Sequence, residues 1–230
     1  MRRKMKGFGL VLVAVLALGA MGAQGAAGHE FKSDVANTVI TGHNEPGSIF
    51  TFTTNTGAAT ECKKASFVGT VLGSTSVDTV TLVPKLQECT FAGNAATVTY
   101  EDCAIVLESD TVGSHADVDI ECAVGGQITT VTSACTLDTR AQTAIESGVH
   151  YYNETANEAV TGSATLSNIK VAQKTGSPIL CAFAGTTGTL TGNLTMEGYE
   201  FISNSGTTTT PSYTAGKQVG IEVSGADSKQ

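Results

Sequence analysis

Six cysteines, at positions 62, 89, 103, 122, 135 and 181, are the side chains of this chain best suited to covalent chemistry. No two of them form the Cys-x-x-Cys pair that redox centres and zinc ribbons use, so structural disulfides are the favoured reading. Six cysteines allow 15 pairings. Cys89 and Cys103 bracket the turn signal Gly93-Asn94, and Cys122 and Cys135 bracket Gly125-Gly126. Hairpin strands can bring Cα atoms within the roughly 4.4–6.8 Å a disulfide spans, so Cys89–Cys103 and Cys122–Cys135 are expected. Cys62–Cys181 follows by elimination. The Phe-x-Gly-Thr that follows each of these two, Phe67 to Thr70 and Phe183 to Thr186, suits neighbouring strands.

The other reactive side chains assemble no catalytic motif. There is no Gly-x-Ser-x-Gly nucleophile turn. His29-Glu30 has no second histidine nearby for a zinc site, and no phosphate-cradling glycine loop occurs. His29, His43, His115 and His150 are spread along the chain and read as solvated surface. Polar aromatics cluster once, at His150-Tyr151-Tyr152. A tyrosine stacks on sugar faces and donates a hydrogen bond, so Tyr151 and Tyr152 are a candidate ligand surface for a glycan or peptide. Paired tyrosines in a strand also divide between core and rim; for stability, Tyr151 and His115 are expected at the surface.

Carboxylates suit two further chemistries. Asp117, Asp119 and Glu121 share one strand face and offer hard oxygen ligands for calcium. A strand spaces them about 7 Å apart, too far to close on one ion, so a solvated face is expected. Glycoside hydrolysis needs two carboxylates across a cleft, and no spacing among the 21 acidic residues singles out a pair. No catalytic residue, metal ligand or cofactor is therefore assigned. Asn153-Glu154-Thr155 and Asn193-Leu194-Thr195 fit the glycosylation sequon.

The elements that must position these residues are strands. Leu190, Gly192, Leu194 and Met196 alternate with Thr189, Thr191, Asn193, Thr195 and Glu197; Val118, Ile120 and Cys122 alternate with acidic neighbours; Ala96, Val98 and Tyr100 alternate with threonines. Val219, Ile221 and Val223 repeat the pattern. Period-2 alternation with one wet face indicates antiparallel sheets. Frequent Gly, Asn and Ser turn signals separate about a dozen such runs, which predicts an all-β sandwich or two packed sheets with Gly/Thr-rich hairpins. One short helix is expected at about Arg140 to Ser147. Ser203 to Gly216 reads as a polar loop between two strands, a long hairpin connection in preference to a binding loop.

The first 27 residues differ from the rest. Arg2, Arg3, Lys4 and Lys6 precede an apolar run from Phe8 to about Gly22 and then the small residues up to Ala27. The run is about 15 residues, short of the roughly 20 a spanning helix needs. This predicts a signal peptide over 1–27 and a single secreted all-β domain over 28–230, with no stable membrane anchor. Without residues 1–27 the chain holds nine basic and 21 acidic side chains, a net charge of −12. That charge disfavours nucleic acid and anionic lipid as partners. Aromatics make up 6% and Trp is absent, so the disulfides, each worth roughly 2–4 kcal/mol, are expected to support a lean core.

Several segments carry a family resemblance. They are Thr38-Val39-Ile40-Thr41-Gly42, Cys62 to Thr70 with Lys64, Val80 to Pro84 leading to Cys89, Ile120-Glu121-Cys122, Gly198-Tyr199 and Val219-Gly220-Ile221. Over about residues 30–224 the chain resembles a group of uncharacterised bacterial exported proteins with a signal peptide and a six-cysteine β-rich domain. The resemblance implies export and fold and no mechanism. The expected role is structural or binding, non-catalytic, at or outside the cell surface, with a cell-surface glycan or protein as partner. A polymer hydrolase with an unidentified carboxylate pair and a calcium- or glycan-binding module are the alternatives.

Overall fold

Alternating apolar and polar residues build strands throughout the described part of the chain. The computed structural model describes residues 30–71, 73–109, 115–154, 159–176, 181, 185–206 and 212–229. The segment 1–27, expected to be a signal peptide, and His29 lie outside the described residues. The strands are β1 (Phe31–Ser33), β2 (Thr38–Asn44), β3 (Phe50–Thr54), β4 (Ala59–Val71), β5 (Ser76–Val77), β6 (Thr79–Phe91), β7 (Asn94–Ser109) and β8 (His115–Thr132). They continue with β9 (Cys135–Thr139), β10 (Gln142–Glu154), β11 (Ala159–Lys170), β12 (Ala172–Gly176), β13 (Thr187–Asn204), β14 (Tyr213–Val219), β15 (Ile221–Val223) and β16 (Asp227–Lys229).

The fold is all-β and antiparallel apart from the parallel pairing of β16 with β10. Strand neighbours run β8, β7, β6, β4, β2, β13, β11, β10, and β10 pairs back to β8, so the two packed faces are joined into a ring. At the far end β3 replaces β2 between β4 and β13. Inward residues fill the ring with Ile40, Val80, Val118, Val160 and Met196, each almost fully buried. The small sheet β15–β1–β5 adds Phe31, Ile221 and Val223 to the same core. Among the described residues no helix is long and apolar enough to cross a membrane.

Side-chain amides extend the ladders where backbones do not meet. Asn153 donates to the Val223 carbonyl and accepts from its N–H at 2.8 and 2.9 Å, fastening β15 to β10. Gln142 does the same with Lys170, bridging β10 and β11.

Two sequence expectations are corrected, the helix and the disulfides. The helix expected at Arg140 to Ser147 falls mostly in β10, where Ile145 faces Val118 across the ladder; pairing with β8 overrides weak local helical spacing. The hairpin connection expected at 203–216 joins β13 to its antiparallel partner β14 and is shorter than expected, because the strands pair up to Asn204↔Tyr213; residues 207–211 lie outside the described set.

The disulfides are Cys62–Cys89, Cys103–Cys122 and Cys135–Cys181, so none of the three expected pairs forms. Register explains the difference. Ala92 and Gly93 take positive φ (48° and 79°) in a two-residue hairpin turn that sets Phe91 opposite Asn94 and Cys89 opposite Ala96. Cys103 is seven residues further along, roughly 23 Å at about 3.3 Å per residue. It lies directly opposite Cys122 on β8, as Cys62 lies opposite Cys89. Cys135 reaches Cys181, which stands between β12 and β13.

Candidate functional site

Period-2 alternation in β10 sends successive side chains to opposite faces. Val149 and Tyr151 point into the ring, so His150 and Tyr152 point out. Tyr151 is 0% exposed and its ring meets the edge of Phe31 at 5.6 Å. Its hydroxyl is buried without a hydrogen-bond partner, and burial pushes its phenol above the ordinary tyrosine range. The expectation that Tyr151 lies at the surface, as half of a ligand strip, is therefore corrected: it is a core residue, because inward Tyr151 and outward Tyr152 are adjacent in one strand.

Tyr152 instead gains partners from other strands. His150 lies opposite His115 of β8, and their rings meet at 4.6 Å edge to face. Tyr152 tilts against His150 at 4.5 Å. The result is an outward row of three polar rings. Across β11 and β13 the rows continue as His150, Ser163, Asn193 and as Tyr152, Thr161, Thr195; the second reaches His43 of β2. All three described histidines thus occupy one outer face.

Beside Tyr152 lies an open groove of about 420 Å³ lined by Glu45, Thr161, Ser163, Asn193 and Ser228. The loop carrying Glu45 is pinned to β13: the Glu45 N–H donates to the Asn193 carbonyl, and the Asn193 N–H donates to the Ser48 hydroxyl, each at 3.1 Å. Thr161 is 3% exposed, and its hydroxyl has no hydrogen-bond partner among the described residues. Such a buried polar group is costly unless something satisfies it. Hydroxyls, an amide, a carboxylate and a tyrosine ring are the groups that recognise a polyhydroxylated molecule.

The remaining sequence candidates lie elsewhere. Asp117 and Glu121 are exposed on the outward face of β8, with Asp117 opposite Glu108. Among the described residues no group of three or more His, Cys, Asp and Glu is placed to hold a metal ion. Asn153, the first sequon asparagine, has its amide committed to Val223. Asn193, the second, lines the groove. Sequence reasoning missed His115, Glu45, Thr161, Ser163 and Asn193 as neighbours of Tyr152. The signal for His150 and Tyr152 sharing a face was present in their i, i+2 spacing; the cross-strand register was not. Compared with protein-family models, curated proteins and solved structures, the chain matches none.

Proposed function

We propose that residues 28–230 are exported and act outside the cytoplasm as a non-catalytic binding protein. Its ligand surface is the outer face of β10, β11 and β13, and its ligand class is a hydroxyl-rich polymer such as a cell-surface glycan. The observation that carries this is the row His115, His150, Tyr152 beside a groove with a buried, unpartnered Thr161 hydroxyl. Three disulfides support an oxidising compartment. The basic start and apolar run support export, as does the resemblance to bacterial exported proteins. One carboxylate, Glu45, lines the groove among the described side chains, whereas glycoside hydrolysis uses two, which favours binding over cleavage.

Two experiments test the reading. N-terminal sequencing of the exported protein is expected to find a start between Ala23 and Gly28; a retained Met1 contradicts export. Calorimetry of the oxidised protein against oligosaccharides from cell-wall and capsular fractions is expected to find a binder. Tyr152→Ala is expected to weaken that binding at least tenfold. No binding to any fraction, or hydrolysis of one, contradicts the proposal.

A further inference from the structure

Inside the ring, on the side away from the outer groove, the strands enclose an apolar chamber of about 70 Å³. One water needs roughly 10–15 Å³, and apolar cavities of larger size stay dry and take up small apolar molecules. Phe52, Leu86, Val98 and Leu190 form much of its wall. Thr97, Thr99 and Glu101 are exposed, so Val98 and Tyr100 between them point inward; yet both keep accessible surface, which belongs to the chamber.

One wall of the chamber is irregular. β6 and β7 pair from Thr79↔Glu108 to Leu82↔Ile105 and again from Cys89↔Ala96, with a shift of register between. Leu86 of β6 and Val98 and Tyr100 of β7 line the chamber in this irregular stretch. Four hydroxyl side chains, Thr60, Tyr100, Thr130 and Thr139, are in the otherwise apolar lining, and the first two are the candidates for a ligand's polar atom. Thr60 is 5% exposed and its Oγ1 has no hydrogen-bond partner among the described residues. Burial alone pushes the Tyr100 phenol above its ordinary range. An apolar pocket with a few polar groups is the usual form of a small-molecule site.

We propose that this chamber binds a small, largely apolar molecule bearing one hydrogen-bonding group, such as a short aliphatic alcohol. The apolar lining takes the hydrocarbon, and Thr60 or Tyr100 takes the polar atom. The site is separate from the outer groove and does not depend on a glycan binding there.

The test is a titration of the oxidised, methyl-labelled protein with 1-butanol, followed by NMR. Saturable shifts are expected at the methyls of Leu86, Val98 and Leu190, with contacts from the butyl chain to those methyls. Val98→Phe fills the chamber and is expected to weaken binding at least tenfold. Tyr100→Phe and Thr60→Val remove one hydroxyl each with little change of shape, so they remain informative should Val98→Phe fail to fold. One of these two is expected to weaken binding by about three- to tenfold, the range of one net hydrogen bond. Shifts that do not saturate, or that scatter over the outer surface, overturn the proposal. Affinity unchanged in both hydroxyl variants overturns the assignment of the polar atom.

Discussion

Two halves of the ring are built differently. β4, β6, β7, β8 and β9 carry five of the six cysteines, whereas β2, β10, β11 and β13 carry none. In the first half the ladders are interrupted. β6 and β7 shift register between Leu82 and Cys89, and four residues of β8, 123–126, stand opposite Asp102 alone, just beyond the Cys103–Cys122 bridge. In the second half β11 and β13 pair without a break from Val160↔Met196 to Leu166↔Leu190, and β13 pairs with β2 from Leu194 to Glu200; its shifts, two between β10 and β8 and one between Leu166 and Ile169, have no bridge beside them. Cys62–Cys89 and Cys103–Cys122 thus stand at the borders of the first half's irregularities, whereas packing over Tyr151, Val160 and Met196 serves the second half. The candidate ligand face belongs to the second half, and the Leu86, Val98 and Tyr100 wall of the chamber to the first.

The strongest way to break this comparison is to attack each half by its own support. Tyr151→Ala empties the core of the cysteine-free half and is expected to cost about 3–5 kcal/mol, as other large aromatic truncations do. Replacing Cys135 and Cys181 together releases a separation of 46 residues, for which the chain-entropy model assigns about 4 kcal/mol. Replacing Cys103 and Cys122 releases 19 residues and is expected to cost about 3 kcal/mol. Denaturant melts of the three variants in oxidising buffer check the order. A Tyr151→Ala cost below about 1 kcal/mol would show that the second half does not rest on its packing.

Smaller effects sharpen the picture. Tyr151→Phe removes a buried hydroxyl that has no partner, so stability is expected to hold or to rise by up to about 1 kcal/mol. Burial raises the phenols of Tyr100 and Tyr151 above the ordinary tyrosine range. A raised folded-state value favours the native form below the unfolded value, and that contribution is lost as pH rises through and above it. Stability is therefore expected to fall above pH ~10, with these two phenols ionising only on unfolding; absorbance of phenolate in Tyr100→Phe and Tyr151→Phe checks it. On the exposed surface, Lys64 beside Glu88 holds that carboxyl below its usual range, and Lys64→Ala is expected to return it upward in an NMR titration.

Much of the fold was legible in the chain. Leu194 and Met196, Val118 and Ile120, and Ile221 and Val223 are buried as their alternation requires, because one face of each strand must leave water. What failed was register. The turn signal at Gly93 marks a hairpin whose two-residue turn sets Cys89 opposite Ala96 rather than Cys103, whereas Gly125 lies inside β8, in the stretch opposite Asp102, and marks no hairpin. The Tyr152 surface failed in the same way. Its neighbours His115, Thr161 and Asn193 come from three other strands, and only long-range pairing joins them. Helical spacing at Arg140 to Ser147 misled because Gln142 and Ile145 take partners from β11 and β8, which no local window contains.

The claim that the cysteine-free half carries the ligand face is tested most directly by NMR mapping. An oligosaccharide identified by calorimetry is titrated into the labelled, oxidised protein. The account predicts the largest shifts at His115, His150, Tyr152, Ser163 and Asn193, with Tyr152→Ala abolishing them while its unfolding free energy stays within about 0.5 kcal/mol of the parent, as for an ordinary surface site. Shifts centred on β6, β7 or β9 instead, with those of the Tyr152 face unmoved, would contradict it.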